Sequence, residues 1–244
     1  MPTKSPQGEG ELNFLDKLAR TTGRRTFLHW SGVTLAVVAL GCSDDDGDGG
    51  VGPGPTGVSL GSGDTGVLNY AYALEQLEAA FYTQVLAGAY YTGAPLNEQT
   101  ILSDIKNHEV IHRDFLKAAL GASAIADLAV DFSSIDFASR ASVLSAAKTF
   151  EDLGVSAYNG AGQLLTDANN LLTAGKIVSV EARHAAAIRD LLVPRSSGVG
   201  SFAGDDVVDV TTGLEYPERT PTAVLTAADT YVVTTINASG LPTS

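Results

Sequence analysis

The chain has 244 residues, 15 Lys and Arg against 28 Asp and Glu, a formal charge of −13 and a single cysteine. That length holds one well-buried domain, and lone Cys42 excludes both an internal disulfide framework and a thiolate metal cluster within one chain. So acidic a surface repels phosphate backbones, which argues against nucleic acid and for metal cations as partners.

Charge is unevenly placed. Residues 1–41 carry Lys4, Lys17, Arg20, Arg24 and Arg25 against Glu9, Glu11 and Asp16, and beyond them ten Lys and Arg face twenty-five Asp and Glu. In "TGRRTFLHWSGVTLAVVALGC", Thr22 to Cys42, a charged stretch precedes an apolar run from Val33 to Leu40. The run is too short to cross a bilayer as a helix, so residues 1–42 read as an export signal. The pair Arg24 and Arg25, followed by Thr26, Phe27 and Leu28, resembles the twin-arginine signal, with His29 where that signal usually has Lys. The resemblance implies the twin-arginine export machinery, which carries proteins already folded. Cys42 after Gly41 resembles a lipoprotein box, although Ala39 and Leu40 stand in reversed size order. It implies acylation of Cys42, a periplasmic location and membrane contact only through the lipid; the other reading is a free Cys near an ordinary cleavage site.

Residues 43–63 follow, "SDDDGDGGVGPGPTGVSLGSG", with almost nothing to bury. They are expected to form a flexible tether whose ends lie roughly 25 Å apart. Within it, Asp44 to Asp46 are read as soluble linker rather than as a metal site.

Four long segments over 64–193 then show apolar positions recurring at three and four residues. The first starts near Asp64, the second at an Asn97 cap and stops at Gly121, the third starts near Ser139, and the fourth runs from about Asp167 to before Pro194. Gly154, Gly160, Gly162 and Gly175 each weaken a helix by about 1 kcal/mol relative to Ala, yet small residues on a buried face let helices pack closely. Four helices of matched length describe an all-α four-helix bundle. Residues 194–244 read as an irregular C-terminal arm, in which "PTAVLTAADTYVVTTI" suits a short helix or a strand equally.

Between Gln99 and Leu214 there are only three glutamates, Glu109, Glu151 and Glu181, each mid-helix. His112 and His184 stand three residues after Glu109 and Glu181, on the same helix face, so each pair offers a carboxylate and an imidazole to a common point. On the other two helices, Glu75 precedes Tyr82 by seven residues and Glu151 precedes Tyr158 by seven, nearly two turns. The chain therefore reads as a duplicated helix pair. Buried carboxylates are costly unless paired, and no cation neighbours Glu75 or Glu151 in sequence, so two divalent metals are expected among Glu75, Glu109, His112, Glu151, Glu181 and His184. Four carboxylates and two imidazoles suit iron or manganese. Glu78 lies on nearly the face of Glu75 and is an alternative ligand or an outer neighbour; Tyr82 and Tyr158 could bond ligand carboxylates, though aromatics at helical spacing are more often core. His108 is expected to be exposed or capping, and Arg113 and Arg183 solvated or paired to surface acids.

The stretches "LNYAYALEQLEAAFY", "NHEVIH", "FEDLGVSAY" and "SVEARHAAAIRDLL" resemble the ferritin-like superfamily, and within it the desiccation-related ferritin-like proteins. The resemblance implies a di-iron or di-manganese centre with Glu109 and Glu181 bridging, and with Glu75, Glu151, His112 and His184 terminal. It implies reaction with oxygen or peroxide, in a ferroxidase-like or peroxide-consuming oxidoreductase, with homo-oligomers allowed. No residue is assigned a catalytic role. A non-enzymatic stress-protective protein is the alternative, and iron storage in a closed shell sits poorly with a tethered domain carrying a long arm.

Overall fold

The computed structural model describes residues 57–215 and 218–243. Arg24, Arg25, Cys42 and most of the expected tether lie outside the described residues. Four long helices make the frame: α1, Gly63–Ala87; α3, Leu96–Leu120; α4, Arg140–Gly162; and α5, Ala168–Leu192. A short helix α2, Ala89–Gly93, turns the chain between α1 and α3, and α6, Pro221–Ala228, lies in the C-terminal arm. Helix α1 packs on α3 and α4 on α5, with further contact between α1 and α4 and between α3 and α5. The all-α four-helix bundle is as expected.

Helix ends follow local chemistry. Ser139 and Asp167 cap α4 and α5 by accepting hydrogen bonds from the amides of Ser142 and Asn169. Gly121 ends α3 at φ +55°, a conformation only glycine adopts without steric cost. At the start of α3 the expectation is corrected: Pro95 takes the cap position and Asn97 lies inside the first turn. Proline's fixed φ and missing N–H suit a helix entry, and no side-chain cap is made there.

The four helices are not equally covered. Buried residues in α3 and α5 fall on one stripe, such as Leu102, Ile105, Glu109 and Leu116, leaving an exposed face. Helix α1 is buried without a break from Asn69 to Ala79. Its outer side is covered by residues 121–139, the crossover between α3 and α4, and by the arm. Asn69 fixes that crossover, accepting from the Ile125 amide at 3.0 Å and donating to the carbonyls of Ser123 and Leu60; Gln76 accepts from the Leu128 amide at 2.7 Å. Phe132 then seats beside Phe81 and Phe150, with ring centroids 5.8 and 6.2 Å away. At the opposite end Arg140 binds buried Glu98 and also the carbonyl of Leu191, at 2.7 Å each, satisfying a last-turn acceptor of α5.

The arm is bound to the bundle rather than loose. Arg189, nearly fully buried, donates to both carboxylate oxygens of Asp152 on α4 and of Asp206 in the arm. The Arg219 amide donates to the Ser156 carbonyl, where the chain crosses Gly160 so closely that a Cβ there would lie 2.1 Å from the Arg219 oxygen. The undecided segment forms α6, opened by Thr220 as cap and Pro221, and its last residue begins a two-residue strand β2, Ile236–Asn237. Strand β2 pairs in parallel with β1, Val58–Ser59, in the register Val58 to Ile236 and Ser59 to Asn237. The last residues of the expected tether are thus part of the fold, and Leu60 is fully buried.

Candidate metal centre

Each long helix brings one mid-helix glutamate to the interior: Glu75 from α1, Glu109 from α3, Glu151 from α4 and Glu181 from α5, all at 0 % exposure. One turn after Glu109 and Glu181 come His112 and His184, with side chains 12 % and 5 % exposed. His112 is the least covered of the six.

Contacts divide into two groups. His112 Nδ1 lies 2.9 Å from Glu181 Oε1, 3.4 Å from Glu75 Oε2 and 3.5 Å from Glu109 Oε2. His184 Nδ1 lies 2.7 Å from Glu109 Oε1, 3.5 Å from Glu151 Oε2 and 3.9 Å from Glu181 Oε2. Within each group of four residues the donor atoms are all within 4.8 Å of one another. Glu109 and Glu181 belong to both groups, and each gives one oxygen to either side.

These same eight atoms, six oxygens and two nitrogens, are buried without a hydrogen-bond partner. A buried polar atom left unsatisfied costs about 1–3 kcal/mol, and more when charged, so eight of them facing one space make a site that could hold cations. The second oxygens of Glu75 and Glu151 are occupied instead. Tyr158 on α4 donates to Glu75 Oε1 at 2.6 Å, and Tyr82 on α1 donates to Glu151 Oε1. Each tyrosine reaches the glutamate of the opposite helix. Both rings are buried, but their hydroxyls hold the carboxylates, so core packing alone does not describe them.

Electrostatics point the same way. Burial lifts Glu75 to about 7 and raises Glu151, Glu181 and Glu78 above the usual carboxylate range, with repulsion from neighbouring carboxylates adding to it. Burial would likewise raise Glu109, but the two imidazoles beside it hold it low, at about 2. Burial would lower both histidines, yet the surrounding carboxylates carry His112 up to about 12 and His184 to about 11. In the metal-free protein, then, protons on the imidazoles supply positive charge that a metal would otherwise bring. Ligation needs neutral imidazole, so binding a metal expels those protons.

Glu78 is a fifth buried carboxylate, 4 % exposed, outside both groups of four. Its Oε1 rests against α4 at Gly154, where a Cβ would lie only 2.9 Å away. His108 was expected to be exposed or capping. It is exposed, but its ring lies edge to edge with that of His184 and within 9° of parallel to it, the centroids 5.1 Å apart and its Nδ1 2.9 Å from His184 Nε2. The only hint in the sequence was its i, i+4 spacing from His112. Arg113 pairs with surface Asp114, and Arg183 donates to Ser179 of its own helix.

The donor set fits two divalent cations: the four glutamates of the two groups balance their charge, and each position gathers three oxygens and one nitrogen, a hard set with a borderline partner. A helical bundle in which Glu-x-x-His from two helices meets one glutamate from each of the other two has the layout of the carboxylate-bridged di-metal bundles. The family model described as a ferritin-like domain matches residues 63–194, more than half of the sequence, and the chain belongs to that family. A search among curated proteins finds no match to the chain.

Proposed function

We propose that the chain is a di-metal carboxylate protein, holding two iron or manganese ions and reacting with oxygen or peroxide in a ferroxidase-like or peroxide-consuming reaction. The observation that carries this reading is the division of eight orphaned donor atoms into two sets of three oxygens and one nitrogen, each bridging glutamate split between the sets. Glu109 and Glu181 would serve both metal positions, Glu75 and His112 would complete one, and Glu151 and His184 would complete the other. When bound, the metals supply the electrons of the reaction. The protein's part is positional. Tyr82 and Tyr158 pin the outer oxygens of the terminal glutamates, so that only the inner ones face the metals, and the burial of all four glutamates keeps bulk water from the centre.

Export, a lipid anchor at Cys42 and a periplasmic site of action belong to the same proposal, supported by the resemblance of Arg24, Arg25 and Cys42 to the corresponding signals. The kinship with desiccation-related proteins is likewise proposed from the four quoted stretches.

Metal analysis of the purified chain tests the centre. About two Fe or Mn per chain are expected, and Glu109→Ala combined with Glu181→Ala should abolish binding, because each position loses two of its three oxygens. Unchanged metal content in the double variant would refute the site. Consumption of oxygen or peroxide by the iron-loaded protein then separates the redox reading from a protective protein that holds metal without turnover.

A further inference from the structure

In the duplicated helix pairs Glu109-x-x-His112 corresponds to Glu181-x-x-His184, but the two histidines are not held alike. The position before Glu109 is His108, and the position before Glu181 is Val180. His184 turns Nδ1 toward Glu109, Glu151 and Glu181, and its far nitrogen, Nε2, meets His108 Nδ1 at 2.9 Å with the two rings within 9° of parallel. His112 also turns Nδ1 inward, and among the described residues no side chain is hydrogen-bonded to its far nitrogen.

Resting on the di-metal reading above, we infer that His108 is a positioning residue that makes the two metal positions unequal, so that the position ligated by His184 binds the more tightly and fills first. The argument is one of tautomer and basicity. A metal on Nδ1 leaves the single ring proton of neutral His184 on Nε2, which donates it to His108 Nδ1. That bond fixes the ring plane, keeps the remaining ring proton on Nε2 once the Nδ1 proton has left, and increases the electron density that Nδ1 offers the metal. Among the described residues, His112 receives no such help from a side chain. Because His108 is exposed on α3 and packs into no core, its replacement leaves the bundle intact.

Cobalt(II) titration of the full metal-free chain, followed by its visible absorption bands, tests this. The wild type should show two binding events of unequal affinity. His108→Phe, which keeps an aromatic ring but offers no acceptor, should weaken the tighter event about 10-fold or more and leave the weaker one unmoved. His108→Asn, whose amide oxygen can stand near the place of Nδ1, should restore it. The loss should appear when His108→Phe is combined with His112→Ala, and not when it is combined with His184→Ala. Equal weakening of both events by His108→Phe, or no change in either, overturns the inference while leaving a two-metal centre in place. A wild type that binds no cobalt overturns the di-metal reading itself, and this inference with it.

Discussion

Gly154 and Glu78 occupy equivalent places in the two halves of the bundle, three residues after Glu151 and Glu75. Where one half has a carboxylate the other has no side chain, and the two positions touch: the Cβ that Gly154 lacks would meet Glu78 Oε1 at 2.9 Å and Glu181 Oε2 at 3.6 Å. The glycine therefore costs α4 about 1 kcal/mol of helix propensity and in return makes space for a fifth acid. In the proposed centre two divalent metals would balance four carboxylates, which leaves Glu78 surplus, and in the metal-free protein its burial beside Glu181, Glu109, Glu151 and Glu75 is unfavourable. Glu78→Gln keeps the shape and removes the charge. It is expected to raise the melting temperature of the metal-free protein at neutral pH by a few degrees, since 1 kcal/mol corresponds to about 2–4 °C at this size. Calorimetry on the two metal-free proteins checks this, and an unchanged or lower value contradicts it.

At the scale of elements, the arm stands or falls with its crossing of α4. At Gly160 the obstacle to a larger residue is main chain, the carbonyl of Arg219, which cannot swing aside as the end of a side chain could. Gly160→Ala is expected to push residues 218–220 off α4, break the hydrogen bond from Arg219 to Ser156, and destabilise the fold by roughly 1–3 kcal/mol. Limited proteolysis should then cut faster within residues 194–220 while the far-UV spectrum of the bundle is retained. How legible each element was follows from its length and its partners. The four long helices could be read because twenty-odd residues carry a clear period, whereas α6 with eight residues and β2 with two are too short to declare one. The hold of Asn69 and Gln76 on the crossover gave no signal, because a buried amide among apolar neighbours looks the same whatever backbone it serves. At the centre, Glu109, Glu151 and Glu181 stood out because glutamate is scarce over that stretch, and His112 and His184 because their spacing repeats. The contact of His108 with His184 and the crossed reach of Tyr82 and Tyr158 join residues 76, 69 and 83 positions apart, which local spacing does not pair.

For the whole molecule, one buried cluster ties stability to pH and, on the proposed di-metal reading, to metal as well. In the metal-free state the raised histidines contribute stability that is fully present below their ordinary value near 6.5 and is lost as pH rises toward about 11 and 12. The raised acids Glu75, Glu151, Glu181 and Glu78 add a cost that is absent below about 4.5 and grows above it. Both contributions have the same sign, so metal-free stability should decline from pH 5 to pH 9. Metal binding runs the other way, because it must displace the imidazole protons and is favoured as pH rises. The gap in melting temperature between metal-loaded and metal-free protein should therefore widen from pH 5 to pH 8, as thermal unfolding followed by circular dichroism can measure. A constant gap would mean that the histidines do not exchange protons for metal.

The pairing of β1 with β2 has a mechanical side. Two hydrogen bonds, from the Val58 amide to Thr235 and from the Leu60 amide to Asn237, clip the chain ahead of α1 to the arm. Tension drawn from the N-terminal side of Gly57 loads both bonds at once, in shear, before any of it reaches α1 and Glu75. The clip thus acts as a strain relief, insulating the helices of the candidate metal centre from whatever tugs on the chain before them.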